Sequence, residues 1–160
     1  MKKCILATML FMLSFTASFA QFEEGKIYLG TSFDGAGLSY SETTKLTIGV
    51  GANAGYMFMR DWLAIGEAGF NYSNKDLQEL YVGAKCRYFI EQNGLFLQGG
   101  VKYLHRIGGY NDLQLTPEVG YCFFLNKNLT VEPSVYYDMS LSDFSDKSRF
   151  GIKIGLGLYF

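Results

Sequence analysis

The stretch SRFGIKIGLGLYF (148–160) decides how the rest of the chain is read. Phe150, Ile152, Ile154, Leu156, Leu158 and Phe160 occupy one parity; Gly151, Lys153, Gly155, Gly157 and Tyr159 occupy the other. An unbroken set of large apolar residues at a period of two cannot be the stripe of an amphipathic helix. It is one face of a strand.

The same period runs backwards through the chain. Leu80, Val82, Ala84, Cys86, Tyr88 and Ile90 alternate with Tyr81, Gly83, Lys85 and Arg87. Leu95, Leu97, Val101 and Tyr103 alternate with Gln98, Gly100, Lys102 and Arg106. Leu113, Leu115, Val119, Tyr121 and Phe123 oppose Gln114, Thr116, Glu118 and Gly120, and Leu129, Val131, Val135 and Tyr137 oppose Thr130, Glu132, Ser134 and Asp138. Leu46, Ile48, Val50, Ala52, Ala54, Tyr56 and Phe58 face away from Thr47, Gly49, Gly51, Asn53 and Gly55. Segments 26–40 and 62–73 are less regular. Turn compositions separate them: SETT (41–44), MRD (59–61), SNKD (73–76), EQNG (91–94), IGGYND (107–112), NKN (126–128) and LSDFSDK (141–147). The pattern predicts about eight strands joined by short connections, so sequence neighbours pair antiparallel and both ends of the chain lie on one side.

The first residues, MKKCILATMLFMLSFTASFAQ, read as a Sec signal peptide. Lys2 and Lys3 precede an apolar run from Ile5 to Phe15, and Ser18 and Ala20 stand before an expected cut ahead of Gln21. The run is too short for a spanning helix, which needs roughly 20 residues. Cys4 lies ahead of the run, where a lipid-anchored cysteine would not be. Residues 21–160 are then one domain. Loss of Lys2 and Lys3 from 14 basic residues leaves 12 against 15 acidic ones, a net charge of −3 with no basic excess for nucleic acid.

Charge placement chooses between a soluble sandwich and a membrane barrel. Glu67, Lys85, Arg87, Lys102, Glu118, Glu132 and Lys153 fall on the parity opposite the large apolar residues. Facing lipid, each Lys or Arg near the midplane would cost about 2–4 kcal/mol. Four of them would exceed a typical fold's whole stability of about 5–15 kcal/mol. In a membrane, therefore, the apolar parity faces out. The charged parity is also rich in glycine, including Gly30, Gly51, Gly69, Gly83, Gly120, Gly151 and Gly157. Glycine weakens an exposed strand, but inside a narrow barrel it makes room for long side chains opposite.

Aromatics form two bands. Tyr56, Phe58, Trp62, Tyr88, Phe123 and Phe160 gather by the turns at 59–61, 91–94 and 126–128; Phe33, Phe70, Tyr72, Tyr103, Tyr137 and Phe150 gather by the other connections. Membrane interfaces select such belts. The segments GYMFMRDWLAIG (55–66), PEVGYCFF (117–124), LTVEPSVYY (129–137) and GLGLYF (155–160) resemble the small eight-stranded outer-membrane β-barrels of the OmpA/OmpX type, a porin-like family of bacterial envelopes. The resemblance implies an all-β, closed, antiparallel, up-and-down transmembrane barrel in the bacterial outer membrane. Its implied partners are outer-membrane lipid, lipopolysaccharide and, through a terminal signal at Ile152, Ile154, Leu156, Leu158 and Phe160, the barrel-assembly machinery. Pro117 and Pro133 depart from a regular strand, and a bulge or an early strand end is expected at each.

No catalytic, cofactor or metal constellation emerges. The interior of an eight-stranded barrel is only wide enough to be filled by side chains. The expected filling is an ion-pair network of Glu67, Glu118 and Glu132 with Lys85, Arg87, Lys102 and Lys153, in preference to an ion path. His105, the single histidine, is expected near the outer end of a strand, facing the interface. Its placement resembles that of the catalytic histidine in small outer-membrane lipid A deacylases, yet Arg106, Ile107 and Gly108 follow it and supply no serine. GVGANAG (49–55) lies inside a strand and is no phosphate loop. Cys86 and Cys122 fall on opposite parities of non-adjacent strands, so no bridge is expected. Tyr110, Asn111, Asp112, Asp143, Phe144 and Asp146 are expected in solvated loops. The function expected is a non-enzymatic structural, stress-related or surface-interaction role, with a narrow channel or small-solute transporter as the alternative.

Overall fold

A computed structural model of the protein describes residues 22–39, 47–73, 76–90, 93–142 and 148–160. The expected signal peptide lies outside them, as do Asp143, Phe144 and Asp146. The elements are strands β1 (Ile27–Ser39), β2 (Thr47–Met59), β3 (Trp62–Ser73), β4 (Asp76–Phe89), β5 (Leu95–Arg106), β6 (Tyr110–Leu115), β7 (Glu118–Tyr121), β8 (Phe123–Phe124), β9 (Leu129–Ser140) and β10 (Arg149–Tyr159). There is no helix among the described residues.

Each strand pairs antiparallel with its neighbours, and β10 pairs with both β9 and β1, closing the sheet on itself. Segments β6, β7 and β8 lie end to end against β9, and β6 and β7 also pair with β5; together they form one stave, so the ring has eight. Closure removes the free edges that would otherwise expose unpaired backbone groups.

The prolines explain why one stave is written in three pieces. β6 ends with Leu115 opposite Met139, and β7 begins with Glu118 opposite Tyr136. Both strands advance by the same step across Pro117, so no residue is inserted. Tyr137 N still donates to Pro117 O at 3.0 Å. Pro133, within β9 opposite Ile154, faces the gap between β7 and β8, again without change of register. Both prolines thus interrupt the ladder along a single seam, the strand-end outcome rather than the bulge. Register shifts occur instead in β1 between Gly35 and Leu38 and beside Asn71 and Tyr72 of β3, toward the end away from the termini, and in β2 between Met57 and Met59 at the end that carries them. The sequence-based loop at 107–112 is shorter than expected. Only 107–109 form the turn, with positive φ at Gly108 and Gly109, and the strand resumes at Tyr110. Asp112 is consequently a buried strand residue, not a loop tip.

Burial follows parity around the ring. Ile48, Leu80, Val101, Leu113, Val135, Ile154 and Leu156 are exposed, whereas Lys85, Arg87, Glu118 and Glu132 are buried. Three tyrosines reveal how the narrow interior is filled. A Cβ added to Gly30 or Gly157 would meet the Tyr28 ring at 2.5–2.8 Å; on Gly51 or Gly69 it would lie 2.4–2.5 Å from Tyr81 Oη, and on Gly151 2.4 Å from Tyr136. Each ring lies over glycine on its own stave or within two staves of it, which accounts for glycine on the charged parity. Gly151→Val is expected to destabilise the barrel by about 1–3 kcal/mol through overpacking against Tyr136. The midpoint of the heat-modifiable gel-mobility transition measures this, and Tyr136→Ala in the same chain should recover part of the loss.

Candidate functional site

The lumen is built in layers. Its lowest layer, at the end carrying the termini, is apolar. Phe22, Tyr28, Met57, Leu63, Ile65, Phe89, Phe96, Cys122 and Tyr159 form one buried cluster with Phe124 packed against it. Phe22 stacks on Phe89 with ring centroids 3.5 Å apart and planes 9° from parallel, and the Phe89 edge meets Phe96 at 6.2 Å. This aromatic floor was not anticipated from the sequence.

Arg87 stands on it. Its guanidinium lies 4.0 Å from the Phe96 ring centroid, while Nη1 donates to Glu132 Oε2 at 2.7 Å and to Tyr159 Oη at 3.2 Å, and Nε donates to Gln98 Oε1 at 2.7 Å. Glu132 is further satisfied by the hydroxyls of Tyr28 at 3.1 Å, Tyr159 at 3.1 Å and Thr130 at 2.8 Å. The layer is full: a buried carboxylate has four lone-pair sites to satisfy, and here they have donors.

Glu118 organises the next layer. Its Oε2 accepts from Lys85 Nζ at 3.4 Å, Lys153 Nζ at 3.2 Å and Gln98 Nε2 at 2.8 Å, and its Oε1 from Ser134 Oγ at 2.6 Å. Lys85 also meets Glu67 at 2.7 Å, and Lys153 approaches Asp34 at 3.9 Å. Above them, Lys102 Nζ lies 2.5 Å from Asp138 Oδ2, whose other oxygen accepts from Thr116 Oγ1 at 2.7 Å. At the mouth away from the termini, Glu79 binds Arg149 at 2.9 Å, Asn71 at 3.0 Å and Arg106.

The seven charged residues singled out in the sequence all lie in this column. Taken alone they leave one cation in excess. Asp138 removes the excess, so that Lys85, Arg87, Lys102 and Lys153 each have a carboxylate: Glu67, Glu132, Asp138 and Glu118. Asp34, Glu79, Asp138 and Arg149 were missed as members, although the parities of Asp138 and Arg149 were readable. A cavity of about 20 Å³ lies at mid-height, lined in part by Ser32, Asn53, Lys85, Arg87, Gln98 and Glu118. It has room for a water or two, not for a continuous column.

Elsewhere, His105 faces outward with Nδ1 2.6 Å from Asn111 Oδ1. Cys86 is exposed on the outer wall and Cys122 buried in the floor, and both are free thiols. Among the described residues no group of His, Cys, Asp or Glu could hold a metal ion. Of the terminal residues, Ile152, Ile154, Leu156, Leu158 and Phe160 all point outward and are exposed, and Phe160 closes the seam by exchanging backbone hydrogen bonds with Ile27 at 2.8 and 3.1 Å.

A closed ring of eight antiparallel staves has solved counterparts. Neisserial surface protein A superposes with a TM-score of 0.64 at 16% identity, covering 86% of this chain and 98% of its own. The N-terminal β-barrel domain of Pseudomonas aeruginosa OprF gives 0.63 at 12% identity, over 86% and 98%. The fold is that of the small OmpA/OmpX-type outer-membrane barrel. Yersinia pestis Ail, solved in a phospholipid bilayer nanodisc, has the same fold at a TM-score of 0.55 and 17% identity, over 86% of this chain and all of that one. No family model and no curated protein sequence matches the chain. The ion pairs inside this barrel give a direct test. Glu118→Gln leaves Lys85 its Glu67 partner but leaves Lys153 only Asp34 at 3.9 Å, and loss of one partner from a buried pair costs about 3–5 kcal/mol. The urea midpoint for unfolding from detergent micelles should fall accordingly, while Glu67→Gln combined with Lys85→Met should cost less than the two single changes added together.

Proposed function

We propose that the chain is an integral protein of the bacterial outer membrane, exported through the Sec pathway with removal of residues 1–20. In this reading it is a closed, non-enzymatic barrel with a structural, stress-related or surface-interaction role. The single observation that carries the proposal is the inverted wall: large apolar side chains exposed on every stave outside, buried and paired ions inside. Such a wall suits acyl chains and suits water poorly, because a soluble monomer rarely exposes an apolar patch beyond a few hundred Å². The exposed belts of Trp62, Tyr88, Tyr72 and Tyr103 support contacts with outer-membrane lipid and lipopolysaccharide, because membrane interfaces favour such aromatics.

Function then resides on the outer surface and at the ends. The lumen's ionic groups are engaged with one another, the mid-height cavity takes only a water or two, and the floor is apolar. The continuous polar column from Glu79 down to Arg87 is what favours the alternative, a narrow channel or small-solute transporter. Planar-bilayer recording of the purified protein separates them: no unit currents are expected, and steady unitary steps would transfer the proposal to the channel.

Two further outcomes belong to this reading. Ile154→Arg, placing a cation on the lipid face, should lower stability in bilayers by about 2–4 kcal/mol, whereas Ile154→Leu at the same position should change little. Recognition by the barrel-assembly machinery through Ile152, Ile154, Leu156, Leu158 and Phe160 predicts that deleting Phe160 leaves unassembled chain in the periplasm. Cell fractionation with heat-modifiable mobility reads that result.

A further inference from the structure

We propose that the inner wall just below the mouth away from the termini binds a monovalent cation such as sodium, with the Asp112 carboxylate as its charged ligand and Gln114 Oε1 as a neutral one. The site lies above the ion-pair column and stands whether or not the lumen conducts.

Asp112 is the exception to the pairing of the interior. Asp34, Glu67, Glu79, Glu118, Glu132 and Asp138 each have a Lys or Arg nitrogen at 3.9 Å or less. Asp112 is only 3% exposed, yet no Lys or Arg among the described residues forms an ion pair with it. Its oxygens accept from neutral donors, Oδ1 from Ser140 Oγ at 3.0 Å and Oδ2 from Gln114 Nε2 at 3.0 Å. The bases nearest to it are engaged elsewhere. Lys102, opposite Gln114 in register, donates to Asp138, and Arg106 and Arg149 converge on Glu79. Leu104, opposite Asp112 itself, offers only hydrocarbon. The described interior thus sets seven carboxylates against six bases, Lys85, Arg87, Lys102, Arg106, Arg149 and Lys153. One positive charge is missing, and a buried carboxylate without a counter-charge is strongly unfavourable.

An independent observation points to the same ligand. Gln114 is 1% exposed, and its Oε1 has no hydrogen-bond partner. Turning the amide over does not cure this, because Nε2 is the atom that serves Asp112, and exchange would set two acceptors against each other. The unsatisfied oxygen therefore stays on the amide that is fixed against Asp112. One cation between them supplies the missing charge and the missing partner together. Hard cations take carboxylate, amide carbonyl and water oxygens of this kind. A single carboxylate balances a single charge, and among the described residues no cluster of His, Cys, Asp or Glu is present to hold a divalent ion. Asp112 lies one inner position below Arg106, whose partner in register is Tyr110, so an ion enters from the mouth without crossing the column.

Sodium NMR of the assembled barrel in an uncharged maltoside detergent tests the site, with choline chloride holding ionic strength constant. The parent should broaden the sodium line, and the isosteric Asp112→Asn should lose that excess broadening. Glu24→Gln removes the same formal charge from an exposed position and should keep it. Heat-modifiable mobility confirms that each variant is assembled. A second readout needs no variant. The parent's urea midpoint, followed by Trp62 fluorescence, should stand higher in sodium chloride than in equimolar choline chloride, because a ligand bound by the folded state alone stabilises it. A parent line as narrow as that of Asp112→Asn, equal loss from Glu24→Gln, or equal midpoints in the two salts would overturn the cation site.

Discussion

The pairing of Arg87 with Glu132 is the interaction on which the rest of the interior depends. Neither group fits outside the lumen: the outer wall at that height is apolar, and the floor beneath is aromatic. Removing two ions from water costs several kcal/mol each, and the Coulomb gain repays it only with good geometry and further hydrogen bonds. Both conditions are met, by a 2.7 Å contact and by donors from Tyr28, Tyr159 and Thr130. The guanidinium also suits its place between two environments. Its plane lies against Phe96 while its edge serves the carboxylate, a division of labour that a lysine ammonium could not perform.

From that pair the packing propagates upward by size. Long charged and tyrosyl side chains need depth that eight staves cannot give if both walls carry a Cβ. Glycine on the same stave or within two staves of it lets them lie flat along the wall, most directly where Tyr28, Tyr81 and Tyr136 lie over Gly30 and Gly157, Gly51 and Gly69, and Gly151. Glycine disfavours a strand through entropy and lost packing. A closed ring tolerates this because these glycines stay paired in the ladder and each ring covers the glycine beside it.

Most of the architecture was legible because two faces of a strand in a membrane obey opposite rules. Phe150 to Phe160 show the alternation without an exception, and Lys85 and Arg87 mark the inner parity unambiguously. What was missed has identifiable causes. Phe89 and Phe96 sit on the inner parity, two residues from Arg87 and Gln98, but strand aromatics read as belt residues when sequence alone must assign them. Phe22 lies before the first strand and belongs to no periodicity. Glu79 and Asp34 stand near register shifts, where alternation stops being a guide. Asp112 was assigned to a loop because GGYND is turn-like in composition, although only Gly108 and Gly109 turn. Pairing partners were out of reach altogether: Lys102 and Asp138 are 36 residues apart and meet only because the ring closes.

The two ends of the lumen are closed by different forces, and this asymmetry follows from what each end must exclude. At the floor, apolar rings bury against one another, an attraction that salt does not screen. At the far mouth, Glu79 gathers Arg106, Arg149 and Asn71, and the Arg106 side chain is 46% exposed. An exposed ion pair contributes roughly 0–1 kcal/mol and weakens with ionic strength. Among the described residues, the far mouth is therefore held by charge that salt can screen, and the floor by apolar contact that it cannot. Between them the ions of the column are turned toward each other, which leaves the outer wall and the strand ends as the surfaces through which this barrel meets its surroundings.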